Sequence, residues 1–128
     1  MDEMYADAAF LREALRVFQR QSEVVTRAHG LTPRSYQLLL MIKTARAGNG
    51  LAGLLELEER LQLGKSTVTE LVLRTEKRGF VRRELDRQRQ RGIAIRLTRS
   101  GERRLAKAFR ALGDERSQLL QTLAAIRK

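Results

Sequence analysis

After Gly79 the hydrophobic rhythm of this chain changes. Upstream, apolar residues return every three or four positions, the spacing of one helix face. Downstream, "FVRREL" and "IAIRLT" run with period two, the spacing of a strand. The polar "DRQRQRG" separates the two runs, so together they predict a single hairpin. Arg87, Arg89 and Arg91 alternate at its tip, and Arg82, Arg83 and Arg96 lie on its strands. One short hairpin in an otherwise helical pattern predicts a mainly α fold.

The helical part divides at its breakers. From about Met4 to Ala28, Met4, Ala8, Leu11, Leu15, Phe18 and Val25 form one row, with Ala14, Val17, Val24 and Ala28 beside it. Two apolar rows exceed what a small surface helix needs for its own core. Gly30 ends that helix. Thr32 and Pro33 then read as an N-cap and a first helical proline, with Leu31 set to staple against Tyr36. "GNGLAG" breaks the second helix. A short helix over about Leu54–Leu61, the turn "QLG" with Gly64 as its tight residue, and a helix from about Lys65 to Arg78 follow. Beyond the hairpin, Thr98 and Ser100 offer caps for a last helical region. There Leu105, Leu112, Leu119 and Ile126 fall seven apart, with Phe109 and Leu123 between them. Arg116 interrupts the second row, and Gly113 is a bending point. No repeat, low-complexity tract or linker divides residues 1–128, which read as one domain.

Composition narrows the function. The net charge is +11, and it is unevenly spread: between Arg60 and Lys107 fifteen Lys/Arg face five Asp/Glu, whereas residues 1–30 hold four Arg and five acids. Such a surface favours a polyanionic partner. There is no Cys, which removes disulfides, thiolate metal sites and a thiol switch. A single His29, just before Gly30, cannot build a multi-histidine site. No cofactor or metal is expected. No apolar run approaches the ~18 residues of a membrane span, and the acidic "MDEMYADAAF" lacks the basic start of a secretion signal. No membrane partner is expected, and a cytoplasmic location is.

"GKST" at Gly64–Thr67 has the look of a phosphate-binding loop. That motif needs a first Gly five residues earlier, and Glu59 stands there. The preceding "LLELEERLQL" is helical and acidic rather than a strand feeding a glycine-rich loop. The adjacent carboxylates of "EERLQ" point apart on a helix and make no acid/base pair. With no Cys and one isolated His, nucleophile–base arrangements lack their parts. The chain reads as a binding protein, not an enzyme.

A short helix, a tight turn and a second helix make a helix-turn-helix, whose second helix enters the major groove. In that helix Val68, Leu71, Val72 and Thr75 share the face that docks on the first. Lys65, Ser66, Thr67, Thr69, Glu70 and Arg74 lie on the other, with the hydroxyls and charges that read base edges and hold phosphates. The hairpin that follows acts as a wing, its Arg82, Arg87, Arg89 and Arg91 available to the backbone and the minor groove. A winged-helix module that binds RNA or a protein partner is the alternative reading.

"LTPRSYQLLLMI", "LEERLQLGKSTVTELVLRTEKRGFVRRELD" and "RGIAIRLTRSG" together resemble the MarR family of winged helix-turn-helix transcription regulators, over roughly Leu31 to Leu105. The resemblance implies a DNA-binding homodimer that represses transcription and is often relieved by a small, commonly phenolic, ligand. The winged core then spans about 31–98, with dimerisation helices over about 4–28 and 99–127. Leu11, Leu15, Phe18, Leu112, Leu119, Leu123 and Ile126 are the dimerisation candidates. The two recognition helices of such a dimer meet successive major grooves ~34–36 Å apart on a roughly palindromic site. The family's ligand pocket lies between the dimerisation helices and the winged domain, which makes Phe18, His29 and Tyr36 its candidate lining for a small aromatic effector.

The departures from the family pattern also carry expectations. Gly64-Lys65 stands where Ser-Pro is common, and Lys65 adds a phosphate contact. Glu58 stands where a small residue is usual, so packing there should differ. The wing's Asp-x-Arg keeps its Arg as Arg91 but has Arg89 in place of the Asp, so binding should lean on charge. The sequence ends at Lys128, short of the family's further C-terminal helix, so a shortened or rearranged dimer interface is expected.

Overall fold

The computed structural model describes residues 2–86 and 92–126. Among them, helices α1 (Asp2–Ala28), α2 (Pro33–Lys43), α3 (Leu54–Leu61) and α4 (Lys65–Lys77) precede strands β1 (Val81–Leu85) and β2 (Ile93–Leu97). Helices α5 (Arg99–Ala111) and α6 (Gly113–Ala125) follow.

Local chemistry sets most of these boundaries. The Thr32 hydroxyl accepts from the Ser35 N–H at 3.1 Å and Pro33 opens α2, so the expected cap is present. Thr98 caps α5 in the same way by accepting from the Gly101 N–H at 3.1 Å. Helix α4 ends with Phe80 N–H on the Thr75 carbonyl (3.1 Å) and Gly79 N–H on the Glu76 carbonyl (2.9 Å). That double closure requires a left-handed residue, and Gly79 supplies it at φ 81°.

Helix α2 is the centre of the core. Its Leu38, Leu39 and Ile42 are fully buried against Leu31, Leu57, Val68 and Ile95, and Tyr36 packs at the edge. Burying such a side chain is worth about 1.5–3 kcal/mol. Arg60 on α3 fixes how α3 crosses α2. Its Nη1 donates to the Met41 and Thr44 carbonyls, both at 3.0 Å, at the end of α2. The buried Glu56 pairs with Arg60 at 3.1 Å and accepts from the Arg46 N–H at 2.9 Å.

The turn between α3 and α4 differs from expectation. Gly64 takes an extended φ of −72° and serves as the N-cap of α4; Gln62, at φ 55°, is the left-handed residue. Left-handed backbone costs a side-chain-bearing residue roughly 1–2 kcal/mol. Gln62 offsets this by donating its N–H to the Glu58 carbonyl and its Nε2 to the Glu59 carbonyl at 2.6 Å, which closes α3.

The hairpin forms as expected, antiparallel, from Val81 opposite Leu97 to Leu85 opposite Ile93. A third segment joins it from within "GNGLAG". Ala52 and Ile95 exchange both backbone hydrogen bonds, at 3.0 and 2.8 Å.

The heptad row expected across the C-terminal region is broken. Leu112 closes α5 and Gly113 opens α6, so Leu105 and Leu112 are buried inside the protomer while Leu119 lies in a groove against α1. Arg116 braces the joint: its guanidinium lies 3.8 Å from the Phe109 ring centroid, and Nη1 donates to the Phe109 carbonyl at 2.9 Å. Helices α1 and α6 are the least embedded elements; α6 has no buried side chain. Helix α1 is 27 residues long, yet only Thr26 is buried.

Candidate nucleic-acid interface

Helix α4 has two sharply different sides. Val68, Leu71, Val72 and Thr75 are buried, as their spacing predicts, and hold the helix on α2 and α3. Lys65, Ser66, Glu70 and Arg74 are exposed, with Thr67 and Thr69 half-buried at the two flanks. Thr67 borders a groove against α1 and α2, shared with Arg27, Arg34 and Arg74. Thr69 turns towards the wing. Glu70 and Arg74 form an ion pair of 2.8 Å one turn apart.

The hairpin presents two faces. Register sets Arg82 directly opposite Arg96, a repulsive pairing of like charges. Glu84 relieves it with one carboxylate: Oε1 meets Arg82 at 3.2 Å and Oε2 meets Arg96 at 2.5 Å. The hydrogen bond from Arg96 is the main reason that the Glu84 carboxyl is held below its usual range. Arg96 also donates to the Asn49 carbonyl at 3.2 Å. Arg83 lies on the other face, with Ile93 and Ile95, and pairs with Glu76 of α4 at 3.1 Å. At the hairpin's far end the Asp86 N–H donates to the Gly92 carbonyl. Arg87, Arg89 and Arg91, assigned to the wing tip, lie outside the described residues.

Between α3, α4 and the wing runs an apolar groove of about 730 Å³. Leu54, Leu55, Leu73 and Ile93 line it, with Lys65, Thr69 and Arg83 along it and Glu58 also on its wall. Glu58, where different packing was expected, is half-buried on that wall. Two residues of this surface were not assigned to the candidate site from the sequence, although Arg83 was placed on the hairpin strands. Leu73 is 47% exposed in the middle of the outward face of α4. Arg83 is, among the described residues, the hairpin arginine that pairs with α4. A helical wheel of α4 and the strand alternation after Gly79 hold the signal for both.

The other candidate residues are dispersed. Phe18 lines a groove of about 220 Å³ between α1 and α6, together with Phe10, Val17, Glu115 and Leu119. His29 and Tyr36 do not line that groove. The His29 carbonyl accepts from Arg104 at 3.1 Å, where Arg104 and Arg78 stand 5.2 and 4.9 Å from the Phe80 ring centroid. Tyr36 faces Arg116. Of the dimerisation candidates, Leu11 is 40% exposed, and Leu15, Phe18, Leu119, Leu123 and Ile126 are half-buried. Leu112 is only 3% exposed and closes the protomer's own core, because the chain bends immediately after it.

Among the described residues no group of three or more His, Cys, Asp or Glu could hold a metal ion. Nor, among the described residues, is any helix long and apolar enough to cross a membrane.

No protein-family model matches the sequence, and no curated protein matches it. Solved structures do. A MarR mutant from E. coli complexed with operator DNA is 18% identical, with a TM-score of 0.74 over 92% of this chain and 82% of that one. AbsC, a MarR family transcriptional regulator from Streptomyces coelicolor, is 22% identical, with a TM-score of 0.75 over 87% of this chain and 74% of that one. The transcriptional regulator Tm0710 from Thermotoga maritima is 28% identical, with a TM-score of 0.65 over 91% and 79%. The order of elements, the helix-turn-helix, the hairpin and the flanking helices are common ground: the chain has the fold of the MarR family of transcriptional regulators.

Proposed function

We propose that this chain is a sequence-specific double-stranded DNA-binding transcription regulator, a homodimeric repressor released by a small aromatic ligand. The observation that carries the reading is α4. One side is wholly committed to the core, and the other presents Lys65, Ser66, Thr69, Glu70 and Arg74 to solvent beside a basic hairpin. Lys65 and the arginines of the wing neutralise phosphates, and the central residues of α4 meet base edges. The operator DNA named for the E. coli neighbour supports the same partner class.

Two-fold assembly is supported by α1. Besides having only Thr26 buried, it exposes Met4, Tyr5, Phe10, Leu11, Val17 and Val24. An apolar stripe of that length on a chain with this net charge calls for a second surface. For the ligand, Phe18 lines the proposed groove, and His29 and Tyr36 lie outside it. The groove at Phe18 lies within the proposed dimer region, so occupancy there would change how two protomers sit on DNA.

A mobility-shift titration of duplex DNA and duplex RNA across a range of salt tests the reading. About six neutralised phosphates per dimer give a slope of log K against log[salt] near −5 on DNA. A slope near zero, or a preference for RNA, sinks it.

A further inference from the structure

On the outward side of α4, opposite Val68, Leu71, Val72 and Thr75, a helix of 3.6 residues per turn sets Ser66, Glu70, Leu73 and Lys77. Two of these are out of place on a surface that only grips phosphates. Glu70 is an acid, 70% exposed at its side chain, on a chain of net charge +11 that meets a polyanion. Leu73 is apolar and 47% exposed. Neither contributes much to the fold: an ion pair as exposed as Glu70–Arg74 adds little stability, and a half-exposed leucine buries little.

Their chemistry does match the floor of the major groove. The bonded pair Glu70–Arg74 is electrically neutral, so it adds nothing to the attraction for phosphate. It places carboxylate acceptors beside a guanidinium that keeps further N–H donors. In the groove cytosine offers its N4 amino group as a donor, and guanine offers O6 and N7 as acceptors. Adenine also offers an amino group, but its N7 acceptor lies beside it and repels a carboxylate. Leu73 has only methyl groups to present, and the apolar feature of the groove is the thymine C5 methyl.

We propose that Glu70, Leu73 and Arg74 form one base-reading unit. Glu70 accepts from the cytosine and Arg74 donates to the guanine of a C·G pair, while Leu73 packs on a neighbouring thymine methyl. The unit rests on the DNA-binding reading above and adds which bases are chosen. Because it is neutral, it governs sequence preference and leaves the salt dependence to Lys65 and the wing.

Selection of bound sequences from a random duplex pool, run in parallel on wild type, Glu70→Ala, Glu70→Gln and Leu73→Ala, tests it. Wild type is expected to enrich a site holding the C·G pair and an adjacent T. Glu70→Ala should lose the preference at that pair by about ten-fold and keep the rest of the site, and Glu70→Gln should shift the position towards A. Replacing the adjacent T by deoxyuridine should weaken wild type and leave Leu73→Ala unaffected. All three side chains of the unit are exposed, and circular dichroism melts check that each variant folds. If both Glu70 variants select the wild-type site and bind every DNA more tightly by one factor, Glu70 is only a charge brake and the proposal fails. If wild type enriches no duplex at all, the DNA-binding reading itself fails, and the unit with it.

Discussion

Tyr36 stands where burial and a cation act on its phenol in opposite directions. Burial raises its ionisation above the ordinary 10.0, and the Arg116 guanidinium pulls it back; burial wins. A tyrosine is charged only when deprotonated, so the folded state resists that ionisation. The associated stability is fully present below the unfolded value near 10 and is lost as pH rises through the folded value. Alkaline titration of a Tyr5→Phe variant, followed by near-ultraviolet absorbance, should give a Tyr36 midpoint above 10.0, and adding Arg116→Ala should raise it further. A midpoint at or below 10.0 would show that the ring is solvated. At this scale the sequence was informative where the physics is local. Thr32, Thr98 and Gly79 do what their immediate neighbours require of them. Gln62 escaped notice because nothing in its type signals a left-handed backbone; its side-chain bond to the Glu59 carbonyl makes the conformation affordable. The Tyr36–Arg116 contact joins residues far apart in sequence, and no periodicity points to it.

Among elements, the start of the wing and α5 make a close backbone contact. A Cβ added at Gly101 would overlap the Phe80 carbonyl, so α5 lies directly on the start of the hairpin. Gly101→Ala should therefore lower stability by about 1–3 kcal/mol through overpacking, read as a lower urea midpoint. An unchanged midpoint would mean that the two elements separate freely. The helices, the hairpin and their order were legible because each carries its own period, 3.6 or 2. The bridge from Ala52 to Ile95 was not, since a one-residue pairing has no period to detect. The bend at Gly113 was visible as a residue, but the seven-residue row of leucines ran across it. Continuity of spacing concealed that Leu105 and Leu112 serve the protomer, whereas Leu119 meets α1. The outward face of α4 was legible by residue type except for Leu73, whose apolar side chain reads as core until the helix is seen to turn it outward.

For the whole molecule, the basic excess falls in the stretch that holds α4, the hairpin and α5, while among the described residues α1 carries six exposed large apolar side chains, Met4, Tyr5, Phe10, Leu11, Val17 and Val24. Replacing exposed Leu11 by Glu should leave the protomer folded and shift sedimentation from dimer to monomer. Affinity for a two-fold site should fall by more than about ten-fold, since simultaneous engagement of both half-sites is lost. An unchanged sedimentation coefficient would remove α1 from the interface. There is a consequence for turnover in the cell. In the proposed dimer a second copy shelters this helix of 27 residues, of which the protomer buries only Thr26. Its lifetime against proteolysis then becomes a function of how much of the protein is present. Scarcity would be self-reinforcing: dilution bares α1, cleavage follows, and the pool falls further, so abundance itself sets a threshold below which the regulator disappears.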